Sequence, residues 1–282
     1  MQCSILIKKE EIKKAVREGY ARIAKQGSSC CAPANSCCGN TDLAQDISKS
    51  IGYSEEEIKA VPEGANLGLG CGNPLAFASL KEGEVVLDLG SGAGLDSFLA
   101  ASKVGKKGRV IGVDMTPEMI DKARENSREG NYKNVEFRLG EIENLPVADN
   151  YVDAVISNCV INLVPDKRRA FAEVFRVLKP GGRLMISDIV LLRELPDVIK
   201  DSVEAYIGCL SGAIMRDEYI GAIKAAGFQE VRIMDETSFP IDCMANDPTA
   251  TAIIKDLKIT PQEVANIAPS VLSIKVYAVK PG

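Results

Sequence analysis

The 282-residue chain contains no histidine. It therefore lacks the side chain that most often serves as a general base near neutral pH and most often ligates metal ions. It also has no surplus of positive charge. Thirty-four Lys and Arg against 39 Asp and Glu give a formal net charge of -5, which argues against binding nucleic-acid backbones through clustered cations. No stretch approaches about 18 uninterrupted apolar residues, so no membrane span is expected. Residues 1–7 form a short apolar patch with lysines after it, the reverse of a secretory leader, and the cytoplasm is the expected compartment. Internal repeats are missing, and so are the spaced C-x-x-C or Cys/His sets that hold zinc.

What the chain does have is nine cysteines: Cys3, Cys30, Cys31, Cys37, Cys38, Cys71, Cys159, Cys209 and Cys243. In a reducing compartment, so many thiols in odd number point to metal, metalloid or redox chemistry rather than to a disulfide framework. A single cysteine such as Cys243 also reads as a small core side chain. The hydrophobic share of 46% and charged share of 26% are ordinary for a globular protein. The length fits one large α/β domain with appendages, or two small domains.

The pattern changes near residue 76. Residues 1–75 read as an N-terminal helical and cysteine-rich arm and cap. Ile12, Ala15, Val16, Tyr20 and Ile23 have helical spacing. Residues 26–40 are rich in Gly, Ser, Asn and Cys and read as a loop. Ser54 with Glu57 is a capping box, and the four glycines within 64–74 predict another loop. Beyond residue 85, apolar β-rich runs at 85–89, 110–113, 135–139, 152–157, 183–187, 230–234 and 271–279 alternate with helical stretches. That alternation predicts an α/β fold with a parallel sheet and crossover helices over 76–282. One helix starts at Thr116-Pro117, and another spans 166–178 until Pro180-Gly181-Gly182 ends it. Substrate-covering insertions are expected at about 190–227 and 238–268.

Residues 85–94 read V-V-L-D-L-G-S-G-A-G, a buried strand running into a glycine-rich turn that opens a helix. Gly90, Gly92 and Gly94 let the backbone approach a ligand closely. A dinucleotide fingerprint would need glycine at 95, where Leu95 stands. Asp88 precedes the loop. The next strand ends at Asp114, where a carboxylate can accept hydrogen bonds from both hydroxyls of a ribose, with Met115 beside it. Glu141-Ile142 follow the third strand, an acid and an apolar residue suited to an adenine amino group and ring. Asn158 ends the fourth strand beside the crevice. The order resembles that of the class I S-adenosylmethionine methyltransferases. The resemblance implies a Rossmann-like, mostly parallel seven-stranded sheet with an antiparallel last strand. It also implies S-adenosyl-L-methionine held by Asp88, Gly90, Gly92, Gly94, Asp114, Met115, Glu141, Ile142 and Asn158.

No base stands out to prepare a methyl acceptor. Cysteine stands out instead. Cys71 lies in L-G-L-G-C-G-N-P, Cys159 follows Asn158 at the mouth of the crevice, and Cys209 lies in Y-I-G-C-L-S-G. Three such thiols can converge on one soft atom. Trivalent arsenic binds three thiolates and keeps a lone pair that attacks a methyl sulfonium without a base. These segments, together with D-L-G-S-G-A-G-L-D and S-N-C-V-I-N-L, look like those of the arsenite methyltransferases. The resemblance implies Cys71, Cys159 and Cys209 as As(III) ligands. It further implies arsenite or methylarsenite thiol conjugates as substrates, a thiol reductant such as thioredoxin or glutathione, and a further N-terminal cysteine, for which Cys30, Cys31, Cys37 and Cys38 are all candidates. Two other readings fit parts of the pattern. A small-molecule C- or O-methyltransferase predicts an apolar acceptor pocket indifferent to cysteine loss, and a thiol-based metalloid-binding protein predicts tight binding without turnover.

Overall fold

A computed structural model describes residues 2–26, 40–200, 209–238 and 267–282. Among them, seven strands form one sheet in the order β3-β2-β1-β4-β5-β7-β6. The strands are β1 (Val85–Leu89), β2 (Arg109–Asp114), β3 (Val135–Leu139), β4 (Val152–Asn158), β5 (Leu178–Leu191), β6 (Gln229–Ser238) and β7 (Val271–Val279). The first five pair in parallel, and β7 inserts antiparallel between β5 and β6. The central runs are buried on both faces, which is why they read as continuous Val/Ile/Leu rather than as an alternation.

The helices are α1 (Gln2–Gln26), α2 (Asn40–Ser50), α3 (Glu55–Lys59), α4 (Leu95–Val104), α5 (Pro117–Glu129), α6 (Lys167–Val177), α7 (Asp197–Lys200) and α8 (Arg216–Ala225). One core gathers Leu87, Ile186 and Ile274 of the sheet with Phe171 of α6 and Tyr219 of α8, whose rings meet edge to face at 5.5 Å. Another joins Val86, Val110 and Ile156 to Leu99 and Val104 of α4. Each fully buried side chain of this size contributes about 1.5–3 kcal/mol of transfer free energy. The α3 capping box forms as expected, with Ser54 and Glu57 reciprocally bonded.

Three local expectations change. β5 starts at Leu178, directly after α6, instead of at residue 183. Leu178 pairs with Val152 and Arg183 with Ala154, so Pro180-Gly181-Gly182 forms a bulge inside the strand, with Gly181 at φ +78°. Thr116 caps α5 without a side-chain bond; its N–H is taken by Asp114 Oδ1 at 2.8 Å instead. α1 is also longer than the periodic stretch. The expected loop at 26–40 and the insertion at 238–268 lie almost wholly outside the described residues.

β1 connects to β2 on one side and abuts β4 on the other, so the crossovers diverge at its C-terminal end. That divergence opens the crevice in which ligands of open α/β sheets bind. Among the described residues, no helix is long and apolar enough to cross a membrane.

Candidate active site

The crevice is a cleft of about 1100 Å³, open mouth included, over the C-terminal ends of β1, β2 and β4. Its floor is the loop from Gly90 to Ala93. Gly90 sits at φ +63°, and a Cβ there would lie 2.4 Å from Val160, so only glycine fits. Gly92, at φ +50°, is different: no protein atom lies within 4 Å of where its Cβ would stand. The bare backbone faces open space, as a cradle for a ligand should.

Asp114 holds this loop, Oδ2 accepting from the Gly92 N–H at 3.0 Å and Oδ1 from the Thr116 N–H. Burial raises its pKa, against the pull of those backbone bonds. Beneath the loop, Asp88 Oδ2 accepts from Ser97 Oγ at 2.6 Å. Burial and the nearby Asp96 push the Asp88 carboxyl well above the usual range. Met115, Glu141 and Ile142 also line the cleft.

The thiols gather around Cys159, which also lines the cleft. Cys71, Cys159 and Cys209 are free and buried. Ligand atoms of Cys71, Cys159 and Asp188 all lie within 4.8 Å of one another, and Cys209 joins them by donating its thiol hydrogen to the Cys159 carbonyl at 3.0 Å. Cys159 and Cys209 occupy left-handed backbone, at φ 55° and 64°. Such non-glycine residues cost on the order of 1–3 kcal/mol and persist only where their surroundings hold them. Here the Cys159 N–H is tied to the Ser187 carbonyl at 2.8 Å, and Ser273 Oγ donates to the Cys71 carbonyl at 2.7 Å.

These thiols ionise reluctantly. Burial raises Cys71. The Cys209 thiol pulls Cys159 down, but Cys71 and burial together hold it well above its ordinary value. The Cys159 contact and burial do the same to Cys209. Asp188 is held from three sides, by Asn162 Nδ2, the Ile189 N–H and the Tyr219 hydroxyl, each at 2.9 Å. Burial brings its carboxyl up to about 6.

Asn158 links the cleft lining to Cys71. Its Oδ1 accepts from the Cys71 N–H at 3.1 Å, while its Nδ2 lies 2.8 Å from both the Gly72 carbonyl and the Tyr53 hydroxyl. Tyr53 in turn donates to Asp96 Oδ1 at 2.6 Å. A side chain on Gly70 would strike Asn158 at 2.6 Å, so the glycine before Cys71 permits this seam to close.

The structure brings the expected cofactor residues other than Gly94, and Cys159 of the three thiols, to the lining of one cleft; Gly94 packs against Phe98 and Phe137 instead, and Cys71 and Cys209 sit beside Cys159. The structure adds several that the sequence pattern does not single out: Tyr53 and Asp96 behind Asn158, Asp188 behind the thiols, and α1. Lys13 of α1 reaches Glu141 Oε2 at 2.7 Å and Glu143 Oε2 at 2.6 Å, across the rim of the cleft. The signal for Asp188 was a carboxylate in an apolar strand next to the crevice. For α1 it was the apolar stripe, which announces a partner without naming it. Cys30, Cys31, Cys37, Cys38 and Cys243 lie outside the described residues.

A family profile described as a methyltransferase domain matches residues 80–236. An arsenite methyltransferase of Halobacterium salinarum is 51% identical over 231 residues, which cover 79% of this chain and 59% of that protein. The human arsenite methyltransferase is 35% identical over 234 residues, 79% of this chain and 60% of the relative. The chain spans about three fifths of the length of these curated relatives. Among solved structures, an arsenic(III) S-adenosylmethionine methyltransferase from Chlamydomonas reinhardtii superposes with a TM-score of 0.60 at 30% identity, covering 84% of this chain and 73% of that one. With its sheet order, its glycine cradle and its clustered thiols, the chain belongs to the methyltransferase family and, within it, to the arsenite methyltransferases.

Proposed function

We propose that the protein transfers methyl groups from S-adenosylmethionine to trivalent arsenic held by Cys71, Cys159 and Cys209, in the cytoplasm, giving methylated arsenicals for detoxification. The observation that carries this reading is the clustering of three free, buried thiols, one of which, Cys159, lines the same cleft as the glycine cradle.

The residues present fit the cofactor. Gly92 leaves room for the methionine part, and Asp114 has lone pairs left for ribose hydroxyls beyond those given to Gly92 and Thr116. Glu141 and Ile142 border the place of the adenine. When bound there, S-adenosylmethionine supplies an electrophilic methyl group that a lone pair can take without a base.

The acceptor chemistry explains why protonated thiols suffice. Each thiol forms a sulfur–arsenic bond as an arsenic–oxygen bond of arsenite breaks, and its proton leaves with the hydroxide as water. No net charge is created, so the raised thiol pKa values are no obstacle. With a glutathione conjugate, the proton goes to the departing glutathione sulfur. Held arsenic is an oriented nucleophile, and such orientation lowers a barrier by up to about 7–11 kcal/mol. Gain of a methyl cation formally oxidises arsenic by two electrons. Two thiols joining as a disulfide return them, and a dithiol reductant of the thioredoxin kind then restores the thiols.

The test is incubation with arsenite, glutathione and S-adenosylmethionine, with products separated by mass. Wild-type protein should yield methylarsenicals. Cys71→Ser, Cys159→Ser and Cys209→Ser should each lose most activity on arsenite, because a hard hydroxyl replaces a soft sulfur. Full turnover by the triple Cys→Ser protein would overturn the reading.

A further inference from the structure

α1 is placed to do more than cover the cleft. Its side chain Tyr20 lines the same cleft as the glycine loop and Cys159. The ring packs at the junction of two apolar clusters. One contains Cys71, Cys159 and Cys209 with Ile189 and Leu195; the other contains Ala93, next to the glycine cradle, with Leu67 and Met119. The ring packs against the cluster that contains Cys209; Cys159 and burial raise the pKa of that thiol, and the nearby Tyr20 hydroxyl acts against them. Cys209 itself sits in strained left-handed backbone and donates to the Cys159 carbonyl, so it depends on neighbours to fix its direction. Val16, one turn earlier, is buried against the same thiol cluster, and Lys13, a further turn back, is tied to Glu141 and Glu143. Spacing of three and four residues along one helix therefore sets Lys13, Val16 and Tyr20 on the face that closes the cleft.

We propose that Tyr20 is a positioning residue of the reaction chamber: its hydroxyl holds the Cys209 sulfur toward Cys159 for arsenic capture, and its ring walls the space in which methyl donor and acceptor meet. The inference rests on the arsenite methyltransferase reading above. The two halves of the side chain have separable consequences. Loss of the hydroxyl frees the Cys209 rotamer but keeps the chamber closed. Loss of the ring opens it to water and loosens the approach of donor to acceptor, and such misplacement acts on turnover rather than on capture.

Tyr20→Phe and Tyr20→Ala would be compared with wild type and with Glu18→Ala, whose side chain points outward from the same helix. Arsenite binding without cofactor is read from the ultraviolet absorption of arsenic–sulfur bonds, and kcat and KM from methylarsenical formation. Tyr20→Phe should weaken arsenite binding about three- to tenfold, the worth of one hydrogen bond, with kcat and thermal stability close to wild type. Tyr20→Ala should show the same loss of affinity and a kcat at least roughly tenfold lower. Glu18→Ala should match wild type in both. Equal arsenite affinity in wild type, Tyr20→Phe and Tyr20→Ala would overturn the role of the hydroxyl. An equal fall in kcat for Tyr20→Ala and Glu18→Ala would make α1 merely structural. If wild-type protein binds arsenite but never methylates it, the functional reading fails, while the binding comparison still decides whether Tyr20 directs Cys209.

Discussion

Asp96 is a carboxyl folded into a place that resists its charge. Burial lifts it from 3.8 to about 6, although Tyr53 and Asn158 both donate to it. The sign of the consequence follows directly. The folded protein holds this proton more tightly than the unfolded chain, so the stability it contributes is fully present below about pH 4. That stability is lost as pH rises through about 6. Each tenfold difference in proton affinity between the two states is worth about 1.4 kcal/mol. Asp96→Asn cannot titrate. Its melting temperature should therefore fall less than that of wild type between pH 4.5 and 7, and parallel profiles would show that Asp96 is ionised throughout. No histidine adds a transition of its own in this window. At the same scale, the three thiols stood out in the sequence against an ordinary background, Cys71 and Cys209 because they adjoin glycine and Cys159 because it follows Asn158 at a strand end. Asp188 and Tyr53 did not. A buried carboxylate or phenol looks the same in sequence whether it supports a site or a core.

At the scale of elements, α1 is clasped by charge as well as by its apolar stripe. The Lys13 ammonium is nearly enclosed, at 11% side-chain exposure, between Glu141 at 35% and Glu143 at 10%. Burial alone would lower its pKa, and the two carboxylates more than reverse that. Lys9 adds a more open pair with Asp166, and Lys25 one with Glu118. Removing a cation from such a site leaves an uncompensated carboxylate. Lys13→Met should cost about 1–2 kcal/mol of docking, once the exposure of Glu141 is discounted. Trypsin cleavage after Arg17 and Arg22 should then quicken about tenfold, since 1.4 kcal/mol is a factor of ten, and Lys13→Met/Glu143→Gln should recover part of the protection. Unchanged cleavage would mean that Val16 and Ile23 suffice to hold the helix. This element also marks how far the sequence could be read. Strands β1 to β4 were evident from their apolar runs, α6 from its amphipathic period, α5 from its Thr116-Pro117 start and α4 from the glycine turn that opens it, because each leaves a local pattern. The docking of α1 depends on residues more than a hundred positions away, such as Glu141 and Asp166, and no local pattern encodes that. The bulge at Pro180-Gly181-Gly182 reads locally as an end because its continuation is set by pairing with β4 and β7, again at long range.

For the molecule as a whole, the cleft is a thermodynamic handle. A ligand that binds only the folded state at about a hundredfold excess over its Kd adds about 2.7 kcal/mol. In a domain of this size that raises the melting temperature by roughly 5–10 °C. S-adenosylmethionine should do so with wild-type protein at pH 7 and pH 8 alike. Asp114→Ala, which removes the carboxylate proposed to hold the ribose, should weaken affinity at least tenfold. It should forfeit about 1.4 kcal/mol of that gain. An equal melting shift in the variant would remove Asp114 from the cofactor site.

One bond described above reaches across nearly the whole chain. Ser273 of β7 donates to the Cys71 carbonyl, 202 positions earlier in sequence. On a ribosome adding about 5–20 residues per second, Cys71 waits roughly 10–40 s for that partner. Throughout that interval the growing polypeptide carries the first of its three site thiols with the mature trap unmade, because the strand that fixes the thiol loop from behind has yet to be synthesised. A cell translating this protein under arsenite stress therefore exposes nascent thiols to the species that the proposed function has the finished molecule methylate. Capture by one or two of them before β7 arrives would compete with folding, and so newly made chains should be more sensitive to arsenite than the completed protein.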